Sequence, residues 1–323
     1  MANSVLVIAE HLRGEITEIT FEMLGVGRSL ADAMKAPLTV LLMGEAVAPL
    51  AKQLGMADTV YLVENPGLNL PVPSLAADAI KAVVDQKQAS LVLVGGTNIS
   101  LGIGAALAAR TQLPFVNFCK AVKTEGGNPR FTSQLFGGKI LADVSLPDNR
   151  GVVSIYPGSF QASAGKREAS PPTEKIDVAI GASPVAFKRY IEPETGDVDI
   201  TKQEALVAIG RGIQTQDNIE LAQELADVLG GAVCGSRPVV DQGWLPLTRQ
   251  VGKSGMTVKP RVYLAFGISG APEHWEGMQN SKLIVAVNTD ANAPIFDFAH
   301  YGVCGDLLEI LPALVDKIKA RKG

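Results

Sequence analysis

At 323 residues, with 47% apolar and 19% charged side chains, the chain is long enough for about two domains and a sizeable buried core. No run approaches the roughly 18 apolar residues of a membrane span, and a net charge of −4 with a pI near 5.5 gives nucleic acid or anionic lipid no overall attraction. The three cysteines, Cys119, Cys234 and Cys304, form no CxxC pair, which argues against a zinc site or a disulfide framework and suits a reducing compartment.

The first apolar run, VLVI, begins at Val5, too early for a charged leader, so a cytoplasmic location is expected. It reads as a buried strand. Ile16, Ile19, Met23, Val26 and Leu30 follow at spacings of three and four, the signature of an amphipathic helix. The alternation continues with LTVLLM, a short helix around Val47 to Leu54, TVYLV, a helix through Ala76, Ile80 and Val84, LVLVGG, and a small-residue helix to about Arg110. Continuous apolar strands alternating with helices imply a parallel sheet covered on both faces. After Leu113 the texture changes to FVNFCKAV, FTSQLFGGKILADV and VVSIYPG, separated by GGNP and PDNRG, which predicts antiparallel strands added to that sheet. Residues 159–172 read as an exposed loop, and KIDVAI as a closing strand near Ile180.

The expected domains are therefore 1–190, an interdomain linker at 191–204, and 205–323. The second opens with ALVAIG, then a helix with Asp217 as N-cap and Glu220 three residues on, its apolar face formed by Ala222, Leu225, Ala226 and Leu229. AVCGS, VYLAFG and LIVAVN supply further strands, and Asp306 opens a terminal helical segment that Pro312 is expected to divide. The fold class is α/β with two doubly wound domains, the first a parallel sheet with added antiparallel strands and the second Rossmann-like.

In open α/β sheets ligands sit beyond the carboxyl ends of strands, and the chemistry-bearing residues of the second domain gather there. Gly210, Arg211 and Gly212 end its first strand, and Ser236 and Arg237 end the next, just before Pro238. QVGKSG contributes Gln250, Val251, Gly252, Lys253, Ser254 and Gly255, without the strand that would make it a Walker loop. Then come Ser269, Gly270, Ala271, Pro272, Glu273 and His274, followed by Asn288 and Asp290, and by Asp306 with Leu307. Each motif alone is compatible with an ordinary polar turn. Together they suggest phosphate donors and cationic groups around an anionic planar ligand. No nucleophile with an adjacent base, no carboxylate pair and no metal-ligand spacing accompanies them. In the first domain LVLVGGTNISLGIG lacks GxGxxG and a Walker lysine, so its glycines are assigned to packing, and His11 to a structural or surface role.

GRG, SRP, QVGKSG, GISGAPEH, AVNTD, PIF and YGVCGDL, in this order and spacing, resemble the electron transfer flavoprotein alpha subunit family over about Ala205 to Leu311. The resemblance implies that the second domain holds FAD and that the first contacts a beta subunit. It implies that Arg211, Ser236, Ser269 and Asn288 hold phosphate, ribityl or adenosine portions, with Asp306 and Leu307 at the nucleotide end. Arg237 would lie beside the isoalloxazine, Val251 to Ser254 would form the flavin loop with the Ser254 hydroxyl near N5, and His274 would face the N1 and O2 edge. The implied function is one-electron transfer through an anionic semiquinone, favoured by Arg237 and His274, from a donor dehydrogenase to a quinone-linked acceptor, with neither nucleic acid nor membrane insertion involved. An electron-bifurcating role with NADH and ferredoxin, and a non-redox nucleotide-binding scaffold, are the alternatives. Lys253 stands where many members carry glutamine, and Pro272 and Glu273 where isoleucine and glutamine are frequent. Glu273 is therefore expected either to raise the pKa of His274 or to draw its proton away.

Overall fold

The computed structural model describes residues 4–69, 72–181, 185, 188 and 198–322, and the chain separates into two compact units, 1–189 and 190–323. In the first unit the chain runs through β1 (Val5–Ile8), the small antiparallel ribbon β2 (His11–Leu12) and β3 (Glu15–Ile16), α1 (Glu18–Met34), β4 (Leu38–Gly44) and β5 (Thr59–Glu64). It continues through α2 (Pro73–Lys87), β6 (Leu91–Gly95), α3 (Ile103–Thr111), β7 (Phe115–Glu125), β8 (Asn128–Leu135), β9 (Ile140–Ser145), β10 (Gly151–Ile155) and β11 (Thr173–Lys175). Nine of these strands form one sheet in the order β11-β5-β4-β1-β6-β10-β7-β8-β9. Every neighbouring pair from β11 to β7 is parallel, and β7, β8 and β9 are antiparallel to one another.

The pleat explains why β1 is apolar at every position. Val5 and Val7 point to the face covered by α1 through Ile19, Met23, Leu24 and Leu30, while Leu6 and Ile8 join Ala76, Ile80 and Leu107 of α2 and α3 on the other. The short helix expected around residues 47–54 is a 3-10 helix, Ala48–Gln53. Two expectations shift. The closing strand is Thr173–Lys175, and the apolar segment KIDVAI begins only at its last residue: Ile176 N–H still donates to the Leu62 carbonyl at 2.8 Å, after which the pairing ends. The stretch 159–172 is not uniformly exposed, because Gly165 is buried against α1 so closely that a Cβ there would lie 1.9 Å from the Phe21 carbonyl oxygen.

The second unit contains β12 (Ala205–Ile209), α4 (Ile219–Leu229), β13 (Ala232–Gly235), α5 (Arg237–Asp241), β14 (Val262–Phe266), α6 (Pro272–Met278), β15 (Leu283–Asn288), β16 (Tyr301–Cys304) and α7 (Leu307–Lys322). Its five strands are all parallel in the order β13-β12-β14-β15-β16. Within the unit that order is 2-1-3-4-5, a doubly wound arrangement whose switch point lies between β12 and β14.

Part of the expected linker, residues 191–197, lies outside the described residues. Of the remainder, Ile200 is 1% exposed and belongs to the second unit's core. The helix after β12 begins at Ile219 with Asn218 before it, so Asp217 is not its N-cap, and Leu229 is only partly buried. Gly230 ends it with φ +68°. Pro312 lies inside a continuous α7 instead of dividing it. The missing N–H removes one bond near the helix start, while Leu311 and Val315 on either side stay buried and hold the helix on the sheet. The short edge strand β16, exposed at all four positions, was not among the expected elements.

Candidate functional site

At the switch point the two strand ends meet backbone to backbone. Gly210 N–H donates to Phe266 O at 2.8 Å and Gly212 N–H to Gly267 O at 3.2 Å. A Cβ on Gly210 would stand 2.2 Å from the Gly267 oxygen, so this approach requires glycine. Beyond it β12 and β14 diverge into a cavity of about 750 Å³, in the upper part of the roughly 300–1,000 Å³ usual for ligand sites.

Fifteen of the seventeen residues singled out from the sequence line this cavity. Arg211 stands exposed on the turn after β12, and Ser236 and Arg237 lie at the β13–α5 junction. Gln250, Val251, Gly252, Lys253 and Ser254 come from the loop that follows, and Ala271, Glu273 and His274 from the start of α6. Ser269 follows β14, Asn288 ends β15, and Asp306 and Leu307 open α7. The two absentees serve packing. Gly270 has φ +88° and a Cβ there would meet Ile295 N at 2.3 Å, while Pro272 starts the α6 helix. The lining also includes Thr289 and Pro294 from the AVNTD and PIF motifs, and Gln214 and Ala293, which carried no signal in the sequence beyond their proximity to motifs.

The 250–255 loop is built from backbone contacts. Val251 N–H donates to Gly235 O at 2.9 Å, and Lys253 N–H to Glu273 O at 2.7 Å, tying the loop to β13 and α6. Gly252 adopts φ +139°, and a Cβ would lie 2.8 Å from the same Glu273 oxygen. Inside the loop, buried Gln250 donates its Nε2 to Ser254 Oγ at 2.9 Å, which leaves the hydroxyl proton free for an acceptor in the cavity.

Charge at the rim is partly neutralised. Lys253 Nζ is 3.6 Å from Glu276, and Arg237 Nε is 3.3 Å from Asp241 one turn further along α5, with both members of the latter pair exposed. Arg237 thus lines the cavity but is engaged within its own helix. Asn288 braces two loops, donating to Ile268 O and accepting from Asp290 N–H, both at 3.0 Å. Asp306 caps α7 by accepting from Leu308 N–H at 2.9 Å.

His274 is 6% exposed, and its Nε2 is 2.9 Å from the Tyr263 hydroxyl. Burial pulls its pKa down from 6.5 to about 4, while the Val251 carbonyl acts in the opposite sense without reaching good hydrogen-bond geometry. The ring is neutral at pH 7. The expected influence of Glu273 is not among the causes; desolvation outweighs neighbouring charge at this depth. Nδ1 is buried with no hydrogen-bond partner.

The corresponding strand ends of the first unit hold no comparable space. Buried Glu10 follows β1, and its carboxylate accepts from Thr17 at 3.0 Å, from Ser100 at 2.6 Å and from Thr97. Thr97 and Ser100 belong to the glycine loop after β6, so that loop binds an internal carboxylate. Its glycines serve close packing: a Cβ on Gly95 would meet Ser100 Oγ, and one on Gly96 the Ile155 oxygen, each at 2.8 Å. His11 places Nε2 2.7 Å from the Met43 carbonyl. Among the described residues no group of His, Cys, Asp and Glu could hold a metal ion, and no helix is long and apolar enough to cross a membrane.

Residues 199–279, which contain the β12–β14 switch point and the loop above, match the electron transfer flavoprotein FAD-binding domain, and residues 5–180 match the electron transfer flavoprotein domain. The chain belongs to the electron transfer flavoprotein alpha subunit family. It is 35% identical over 324 residues to the electron transfer flavoprotein subunit alpha of Thermoanaerobacterium thermosaccharolyticum, covering 98% of both chains. It is 36% identical to protein FixB of Clostridium saccharobutylicum, covering 98% of this chain and 96% of that one. It is also 32% identical to the LctC subunit of a lactate dehydrogenase (NAD(+), ferredoxin) of Acetobacterium woodii, covering 98% of this chain and 77% of the relative.

The residues present fit the FAD of this family. The cavity offers hydroxyls from Ser236, Ser254 and Ser269, the Arg211 cation and one buried ring nitrogen, Nδ1 of His274, that lacks a protein partner.

Proposed function

We propose that this chain is the FAD-carrying subunit of a heterodimer with an electron transfer flavoprotein beta subunit, taking electrons from a dehydrogenase one at a time and passing them to a quinone-linked acceptor. The observation that carries this reading is the convergence of five parallel-strand ends on one cavity whose lining offers hydrogen-bond donors and no nucleophile–base pair. FAD, when bound, supplies the one-electron chemistry. The chain's own residues bind and tune it. Arg211, Ser236 and Ser269 are assigned to its phosphate and sugar oxygens, Asn288, Asp306 and Leu307 to shaping the nucleotide end, and the 250–254 loop with His274 to the ring. Ser254, held by Gln250, can donate a proton in a hydrogen bond, and Lys253 adds partly neutralised positive potential at the rim. The free thiols of Cys119, Cys234 and Cys304 suit a cytoplasmic setting.

The test is stepwise reduction of the co-purified complex followed by absorption. Flavin bound and reduced in two resolved one-electron steps supports the reading; a colourless complex, or one that cannot be reduced, rejects it in favour of a non-redox scaffold. The similarity to a subunit of an NAD(+)- and ferredoxin-linked dehydrogenase favours electron bifurcation as the second reading. One flavin per heterodimer supports the simple shuttle, and two support bifurcation.

A further inference from the structure

A buried polar chain runs from the edge strand β13 through Tyr263 of β14 to the cavity. The Cys234 thiol on β13 and the Tyr263 hydroxyl on β14 influence each other's proton affinity, and that hydroxyl is 2.9 Å from His274 Nε2 at the start of α6. Cys234 and Tyr263 are 0% exposed, so water does not intervene as a competing partner.

Counting protons along the chain limits its arrangement. Burial pushes the Cys234 thiol up to about 12 and the Tyr263 phenol well above its ordinary value, so both keep their protons near pH 7. The imidazole, neutral for the reason given above, carries one proton on one of its two nitrogens. Either Tyr263 donates to Nε2 and the proton is on Nδ1, or Nε2–H donates to the phenol oxygen and Tyr263 donates to sulfur. Sulfur is the weak acceptor of the set, whereas an imidazole nitrogen is a good one, and the first arrangement also gives the thiol an oxygen to donate to.

We infer that Tyr263 is a positioning residue that locks His274 as the neutral Nδ1–H tautomer, so that the ring offers one uncharged donor to an acceptor atom bound in the cavity. This rests on the reading that the cavity holds the flavin, and it alters what His274 does there. A neutral Nδ1–H stabilises negative charge by a hydrogen bond and brings no charge of its own. The charged groups around it do not displace this arrangement. Glu273 adjoins it on α6, Lys253 and Glu276 neutralise each other across the loop, and Arg249 acts from below on Cys234.

The test uses the full heterodimer, with the alpha chain alone labelled with 15N-histidine. Only three histidines, His11, His274 and His300, then give signals, and His274→Gln assigns the third. Long-range proton–nitrogen spectra near pH 7 should show His274 with a protonated Nδ1 and a bare Nε2. Tyr263→Phe should shift the proton to Nε2 or mix the two forms, and Cys234→Ala should leave Nδ1–H in place. A wild-type ring protonated on Nε2, a doubly protonated ring, an unchanged tautomer in Tyr263→Phe, or a tautomer lost in Cys234→Ala would overturn the inference. If Tyr263→Phe does not fold, the wild-type spectrum still decides. Flavin absorbance of the same samples separately reports whether the cavity binds FAD.

Discussion

Replacing His274 by glutamine removes a titration as well as a ring. In the folded chain burial holds the imidazole near 4 against an ordinary value of 6.5. Between those values the unfolded chain binds a proton that the folded chain refuses, so stability falls as the pH falls. Above pH 6.5 this term is silent. Through the window from 6.5 to 4 it grows, and below 4 it is constant. The full difference between 6.5 and about 4 is worth about 3 kcal/mol, and about 2 kcal/mol of it is lost by pH 5. The assay is urea unfolding of the cofactor-free protein at pH 7 and pH 5. Trp244 and Trp275, the only tryptophans in this chain, both lie in the second unit, so their emission reports its unfolding. Carboxylates contribute equally to wild type and His274→Gln, so the difference between the two pH-dependent losses isolates the histidine. The wild type should lose about 2 kcal/mol more than the variant between the two pH values. Equal losses, within about 0.5 kcal/mol, would show that His274 is protonated as easily in the folded chain as in water.

Three other outcomes are expected. Ser254→Ala removes the donor that Gln250 positions, and a neutral hydrogen bond of about 0.5–1.5 kcal/mol corresponds to a fall of about 20–60 mV in the first one-electron potential of the flavin; spectroelectrochemistry finding no fall removes Ser254 from the tuning set. Lys253→Gln lowers the same potential by less than about 40 mV, because the ammonium is half exposed and already faces Glu276, and Glu276→Gln moves it the opposite way; a rise in Lys253→Gln is the contrary result. Gly252→Ala forces a side chain into φ +139° and 2.8 Å from the Glu273 oxygen, and should destabilise the second unit by about 1–3 kcal/mol, read from its urea midpoint; an unchanged midpoint would mean that the loop relaxes freely.

Much of this molecule could be read from the chain. Strands buried on both faces, such as LVLV of β6 and VLVI of β1, announce themselves as unbroken apolar runs, since both sides of the pleat face helices. The cavity lining was readable too, because glycines, serines and basic residues just after such runs fall at strand ends, where a doubly wound sheet binds ligands. Edge elements were harder. β16 is exposed throughout and therefore shows no apolar run, and the first unit's last strand is the polar TEK, selected because its backbone pairs with β5. Gln214 and Ala293 reach the cavity by the path of their loops, to which their chemistry gives no clue.

The residue types at the site, their order and the fold class were thus determined by the sequence itself, since periodicity and strand-end position are local properties. The state of those residues was decided only by the tertiary structure. His274 stands beside the acidic Glu273 in sequence, yet burial against Tyr263, eleven positions earlier on another element, keeps it neutral by removing the water that would stabilise its charge. Desolvation and hydrogen-bond direction depend on atoms brought together by the whole fold, and no spacing along the chain encodes them.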